Sequence, residues 1–321
     1  MTRALVLAGG GILGIAWESG VLAGLEAAGI DTQDWSMVVG TSAGAYVGAR
    51  LTVDGSPAPL FALETSGNDA AVEADLQVLF GPGFVRATRL SRHRALRWVS
   101  WLWFATFAAT TLTRFAARRG VRAAVSLVAS LRSARETGDR EDVTRWIGAL
   151  AETKRGSETV LIEHWEQTLG RAPAWPSTRL ITTGLDTSDG SRILFEASSG
   201  VPLPAAVAAS SCLPGLLAPV RLLGRRFMDG GLGSATNADV AIGHDEVWII
   251  APGQSDTTDQ EVAELETAGS VVHLVRPAAG SEELLPSGMA AFDPRRRRAA
   301  AQAGYEDGRA AAAPGVWEAG R

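Results

Sequence analysis

The chain has 321 residues, 46% of them hydrophobic and 20% charged, with a net charge of −5. That length and balance suit a soluble globular protein with a substantial core, and the mild acidity speaks against nucleic-acid binding by the chain as a whole. Cys212 is the only cysteine, which excludes an intrachain disulfide and is compatible with a reducing cytoplasm. In chain order, residues 4–8 form an apolar run that ends in glycines, read as a buried strand and too short for a signal peptide. A helical pattern follows from Gly14 to Ala28, with Ile15, Val21, Leu22 and Leu25 as its apolar positions. Met37-Val38-Val39 predicts a second buried strand, running into Gly40-Thr41-Ser42-Ala43-Gly44 and then a small-residue helix to about Leu51. Strand, helix, strand, helix within roughly fifty residues predicts parallel pairing with helices on both faces of a sheet.

The middle differs. Gly81-Pro82-Gly83 marks a break. Between Leu76 and Arg135 there are eleven Arg and no Asp or Glu, which leaves the rest of the chain at −16. Trp98 to Thr113 is a run of sixteen uncharged residues bounded by Arg97 and Arg114, and a second apolar helix is expected over about Val121–Leu131. Strands are predicted at Arg179–Thr183, Arg192–Glu196, Glu246–Ala251 and Val271–Val275, and an alanine-rich helix after Arg295–Arg298. The expected organisation is a mostly parallel α/β sheet core over 1–67 and 158–309, a helical Arg/Trp-rich insertion over 68–157, and a flexible tail over 310–321.

Gly40-x-Ser42-x-Gly44 has the pattern of a nucleophile elbow, in which a sharp strand-to-helix turn exposes a serine hydroxyl and small flanks avoid clashes. The plain alternative is a glycine-rich turn with a capping serine. Gly9-Gly10-Gly11-x-x-Gly14 closes the first strand. It fits the glycines of a dinucleotide loop, but the second strand ends in Gly40-Thr41-Ser42 without the acid that loop pairs with. An oxyanion hole built from this loop's N–H groups, Gly10 and Gly11 foremost, is the better use.

A serine nucleophile needs a base. Of the four histidines, His93 sits in the basic stretch and His164 in a polar helical segment, while His244 and His273 have no supporting glycine or loop signal and read as structural. Asp229, in Phe227-Met228-Asp229-Gly230-Gly231, is the stronger candidate, delivered by an apolar strand end with glycines that leave room beside it. Locally, Asp229-Gly230 reads equally well as a type I′ hairpin turn. As a base, Asp229 would need burial to raise its pKa and direct contact with Ser42.

Four blocks in this order resemble the patatin-like phospholipases of bacteria: Leu7 to Gly14, Gly40 to Gly44, Ala209-Ser210-Ser211-Cys212-Leu213-Pro214, and Asp229-Gly230-Gly231. The resemblance covers about 1–55 and 180–310. It implies a Ser–Asp dyad of Ser42 and Asp229 without histidine, and an oxyanion hole among Gly9, Gly10, Gly11 and Gly14. It further implies an elbow framed by Gly40, Thr41, Ala43 and Gly44, and a second motif completed by Gly230 and Gly231. An acyl pocket shaped by Ser211, Cys212, Leu213 and Pro214 is also implied, as are hydrolysis of lipid acyl esters and catalysis with no metal or cofactor. One departure is Leu13, where many members carry Arg or Lys; it bears on the head group more than on the ester chemistry.

As a helix, Trp98–Thr113 would be ~24 Å long, short of a ~30 Å bilayer core. Trp98, Trp101 and Trp103 with flanking Arg suit a membrane interface, so a cap that docks peripherally on the inner face of the membrane is expected; a lid packed on the protein's own core is the plain alternative. A thioesterase or small-ester carboxylesterase, a non-catalytic membrane-associated regulator that keeps the fold, and a dinucleotide-binding enzyme are the competing functions.

Overall fold

The computed structural model describes residues 1–91, 159–170 and 174–313, together with Thr113, Ala117, Thr144, 147–149 and Ala151. The expected helices over Trp98–Thr113 and Val121–Leu131, with Trp98, Trp101 and Trp103, lie outside the described residues, Thr113 excepted. Among the described residues, no helix is long and apolar enough to cross a membrane.

Among the described residues, eight strands form one sheet: β1 (Arg3–Leu7), β2 (Met37–Gly40), β3 (Arg179–Asp186), β4 (Arg192–Phe195), β5 (Val220–Leu222), β6 (Arg225–Asp229), β7 (Glu246–Ile250) and β8 (Val271–Val275). Their order in space is β5-β6-β3-β2-β1-β7-β8, with β4 paired to β3 off this path. The run β3-β2-β1-β7-β8 is parallel; β4, β5 and β6 pair antiparallel. Register positions the site. Leu7 lies opposite both Gly40 and Ile250, and Gly40 opposite Thr182, so the loops after β1 and β2 open at one level. The antiparallel return of β6 brings Asp229 opposite Gly184, at that same end of the sheet.

Period-two alternation divides the core. Leu5, Leu7, Val38 and Leu180 face one layer, and Ala4, Val6, Met37, Val39 and Ile181 face the other. The first layer holds α1 (Gly11–Ala27), α2 (Ala43–Asp54), α3 (Ala58–Thr65), α6 (Val160–Leu169), α7 (Leu203–Ser210) and α9 (Arg297–Ala311). The second is thinner, with α8 (Asp256–Thr267) packing through Leu265 and a 3-10 turn, Ala238–Ala241. Within the thick layer α1 and α9 nearly touch: a methyl at Gly304 would run into the Trp17 carbonyl, and one at Gly20 into that of Ala301. Trp17 Nε1 donates to Asp307 Oδ2 at 2.8 Å across this seam.

The sheet matches the expected α/β architecture, with three adjustments. Helix α1 starts at Gly11 rather than Gly14, because the glycine loop is itself the helix's first turn. The Gly81-Pro82-Gly83 break separates two helices, α4 (Asp69–Phe80) and α5 (Pro82–Ser91), with Pro82 at the position where its missing N–H costs nothing. Strands β5 and β6 form a hairpin over Leu223 (φ 50°) and Gly224 (φ 76°), the two positive values of a type I′ turn. Asp229-Gly230 is thus not the hairpin turn; it opens a 3-10 turn, Gly230–Leu232. Helix α9 runs through Ala311, and 314–321 lie outside the described residues.

Candidate active site

Ser42 sits between β2 and α2 with φ 54° and ψ −112°, a strained conformation for a non-glycine residue and one that must be held by its surroundings. Two hydrogen bonds from Gly44 N–H, to Ala8 O and Thr41 O at 2.9 Å each, tie the elbow to the neighbouring strand end. A Cβ at Gly40 would lie 2.5 Å from the Gly44 carbonyl, so the turn closes only on glycine there. The Ser42 N–H donates to Ser210 Oγ at 2.9 Å. Ser210 ends α7 and is fully buried. Its part in the elbow was not foreseen, although the Ala209–Pro214 block flagged the segment.

Ser42 Oγ donates to Asp229 Oδ2 at 2.7 Å. The other carboxylate oxygen accepts from Gly231 N–H at 2.7 Å, and Asp229 N–H donates to Cys212 O at 2.9 Å. Burial pushes the Asp229 carboxyl up to about 6, and the bonds from Ser42 and Gly231 oppose that rise. Beneath the pair lies a buried polar network. Asn237 Nδ2 donates to Thr41 Oγ1 (3.1 Å) and to Ser234 O (2.8 Å), and Thr41 Oγ1 shares a 2.9 Å bond with Thr183 Oγ1. Asn237 adopts the left-handed conformation (φ 52°), which asparagine tolerates better than most residues. It joins the elbow to the loop that follows Asp229, and no sequence signal pointed to it.

The first glycine loop divides its labour. Gly9 N–H donates to Ala235 O at 2.9 Å and Gly14 N–H to Gly10 O at 2.9 Å, so neither is free to meet an oxyanion. Of the four glycines expected to form the oxyanion hole, Gly9 and Gly14 therefore shape the loop rather than donate. The N–H groups of Gly10 and Gly11 are taken by no other described residue, and both glycines line the cavity that holds Ser42 and Asp229. Gly11 has φ 63°, which turns the chain into α1 there.

Two cavities meet at Ser42. One, of about 290 Å³, lies between α4 and α6, among residues such as Ile15, Tyr46, Leu79 and Trp165. The other, of about 520 Å³, holds Asp229 and the glycine loop. Gly11, Ser42, Leu213 and Phe292 line both and form the neck between them. Of the Ser211–Pro214 segment, Ser211 and Leu213 face the first cavity, Leu213 and Pro214 the second, and buried Cys212 faces neither. Burial and the nearby Asp229 raise the Cys212 thiol to about 12.

None of the described histidines bonds to the pair. His273 Nε2 lies 3.1 Å from Glu246 Oε1 and stacks on Trp248, and His244 Nδ1 meets Ala241 O. His164 lines the first cavity without a hydrogen bond to Ser42, and His93 lies outside the described residues. Among the described residues, no group of His, Cys, Asp and Glu could hold a metal ion. A dinucleotide phosphate on the glycine loop would face the Asp229 carboxylate, which disfavours that use.

Residues 5–242 match the family described as patatin-like phospholipase. The chain belongs to this family. Patatin-like phospholipases are lipid acyl hydrolases that act on ester bonds, and the match takes in both glycine loops, Ser42 and Asp229. Among solved structures, the crystal structure of VipD from Legionella pneumophila aligns over 97% of this chain, at 12% identity and a TM-score of 0.42. The chain spans 66% of that protein's length. A search of curated protein sequences finds no match.

Proposed function

We propose that this patatin-like protein hydrolyses lipid acyl esters through a Ser42–Asp229 dyad and an acyl-enzyme. The observation that carries the reading is the 2.7 Å hydrogen bond from a strained Ser42 to a buried carboxylate whose pKa is about 6. Above that pH Asp229 is charged and able to take a proton, and below it the group is spent as a base. Ser42 Oγ attacks the ester carbonyl while Asp229 takes its proton. The oxyanion rests on the N–H groups of Gly10 and Gly11, at the amino end of α1, where the helix dipole favours negative charge. Asp229 hands the proton to the departing alcohol and then activates the water that releases the acid.

Helices α4 and α5 supply Leu76, Leu79, Phe80 and Phe84 to the two cavities, which supports the insertion over 68–157 as a cap on the site. Its Arg- and Trp-rich continuation is the segment expected to meet a lipid surface.

The test is labelling with a fluorophosphonate probe, mapped by intact mass and peptides, for the native protein beside Ser42→Ala and Asp229→Asn. A single adduct on Ser42, absent in Ser42→Ala and strongly slowed in Asp229→Asn, is expected. Folded protein that takes no label, with or without liposomes, would hand the lead to the non-catalytic membrane-regulator reading.

A further inference from the structure

The segment that follows Asp229 touches all three working parts of the site. Gly231 N–H donates to Asp229 Oδ1. Ala235 O accepts the Gly9 N–H at 2.9 Å and so ties down the glycine loop. Thr41 Oγ1 donates to Thr236 O at 3.3 Å and accepts from Asn237 Nδ2 at 3.1 Å, which ties down the elbow beside Ser42. These contacts need one backbone shape. Asn237 is held at φ 52° and ψ 40°, a left-handed conformation that costs free energy and persists only where the surroundings fix it.

Glu261 supplies that restraint. It stands on α8, in the thin layer on the far side of the sheet from α1 and α2, and it is buried. One of its oxygens, Oε2, accepts from Thr236 Oγ1 and, at 2.8 Å, from the Ala238 N–H. These two donors belong to the residues immediately before and after Asn237, so a single oxygen bridges the strained residue. Arg192 holds the Asn237 side chain. Its guanidinium pairs with both oxygens of Asp239 at 2.6 Å and donates to Asn237 Oδ1 at 3.2 Å. With Oδ1 against a cation and Nδ2 against the Ser234 carbonyl, the amide has one orientation, the one that sends an N–H to Thr41.

We propose, on the serine-hydrolase reading above, that Glu261 is a positioning residue for the reaction: through the turn over 235–238 it keeps the glycine loop and the elbow in register, with Gly10 and Gly11 facing the carbonyl that Ser42 attacks. Glu261 lines neither cavity at Ser42, so it acts only through that turn, and it stands outside the 5–242 that match the family. Without its oxygen, the Thr236 hydroxyl and the Ala238 N–H lose a buried acceptor, and Asn237 relaxes from its left-handed shape. Ala235 O then leaves Gly9, and Asn237 leaves Thr41. A shift on the order of 1 Å among groups that must meet one carbonyl costs roughly 10²-fold in rate.

The test compares Glu261→Leu, Glu261→Gln and Leu265→Val with the native protein. Glutamine keeps an oxygen able to accept both bonds. Leu265, one helical turn further along α8, loosens the same helix through packing alone. Each protein is assayed where circular dichroism shows it folded, by the rate of fluorophosphonate labelling at Ser42 and by kcat/KM on a short-chain ester. Glu261→Leu is expected to slow both at least about 10-fold, while Glu261→Gln and Leu265→Val stay within about 3-fold of native. If Glu261→Leu does not fold, Thr236→Val, which removes one of the two donors, is expected to slow both rates in its place. Folded Glu261→Leu, or in its absence Thr236→Val, that labels at the native rate overturns the proposal and leaves the hydrolase reading standing. So does an equal loss in Leu265→Val, which assigns the effect to a loosened helix, or a loss that Glu261→Gln shares, which assigns it to the charge rather than the acceptor. Native protein that takes no label at Ser42 removes the hydrolase reading and this role with it.

Discussion

The rim of the sheet and the helical layer behind it each bury carboxylates, and the two regions treat them differently. At the rim, Asp229 accepts hydrogen bonds from Ser42 and Gly231 and is held at about 6. In the layer behind, Glu64 meets the guanidinium of Arg297 at 2.8 Å, and among the described residues neither oxygen of Glu18 makes a well-formed hydrogen bond. Burial raises all three. Arg297 opposes the rise at Glu64, whereas only the nearby backbone of Ala8 opposes it at Glu18, which ends well above its usual range. Burial alone does not make a base; neutral donors that accept a partly desolvated charge bring the pKa into the working range.

The largest effect should come from removing the charge at the rim. Asp229→Asn keeps the shape but removes the proposed base, and kcat is expected to fall about 10²–10⁴-fold, measured with a short-chain ester. In the native protein kcat/KM should rise with pH through about 6 and level off above it, because the proposed mechanism needs the deprotonated form. An acid limb near 4 would mean that Asp229 is solvated in solution, and the contrast with Glu18 would collapse.

Next in size is the ion pair. Arg297 and Glu64 are 3% and 4% exposed, and Arg297 also donates to Asn68 Oδ1 at 2.8 Å. Arg297→Met strands Glu64 in the layer, and a loss of about 3–5 kcal/mol in urea unfolding is expected. The double variant Arg297→Met with Glu64→Leu should recover much of that loss. If the single variant costs nothing, the layer admits water, and Glu18 would then be less desolvated than its surroundings imply.

How far all this was legible in the sequence follows the same divide. The rim announced itself: Gly9–Gly14, the Ser42 elbow and Asp229-Gly230-Gly231 are small residues at apolar strand ends, where a backbone must turn sharply or let a ligand approach. Even there, Asp229-Gly230 could have been a hairpin turn, while the real hairpin turned on Leu223-Gly224, a pair with no asparagine or aspartate to signal it. Long-range partners left no local trace. Ser210 is 168 residues from Ser42, and Asn237 is 196 from Thr41. Helix α1 hid its burial as well. Lying between the sheet and α9, it is buried almost without interruption from Leu13 to Leu25, so no polar face marks its period and Glu18 looks like an ordinary helical glutamate.

Glu18 gives the smallest predicted effect and the sharpest test of the comparison. Its folded pKa lies above the unfolded one, so the folded state keeps a proton that the unfolded state gives up as pH rises past the mid-4s. Stability is therefore lost from that pH upward until the folded carboxyl itself ionises, and below it no linkage penalty remains. Glu18→Met has similar length and nothing to ionise, and it should stabilise the protein by about 1–3 kcal/mol at pH 8 and by less at pH 5, in denaturant unfolding at the two pH values. An equal gain at both would place the cost in the unpaired oxygens rather than in the charge. A loss at both would mean that Glu18 has a donor in solution, and that the layer behind the rim satisfies its carboxylates as the rim does.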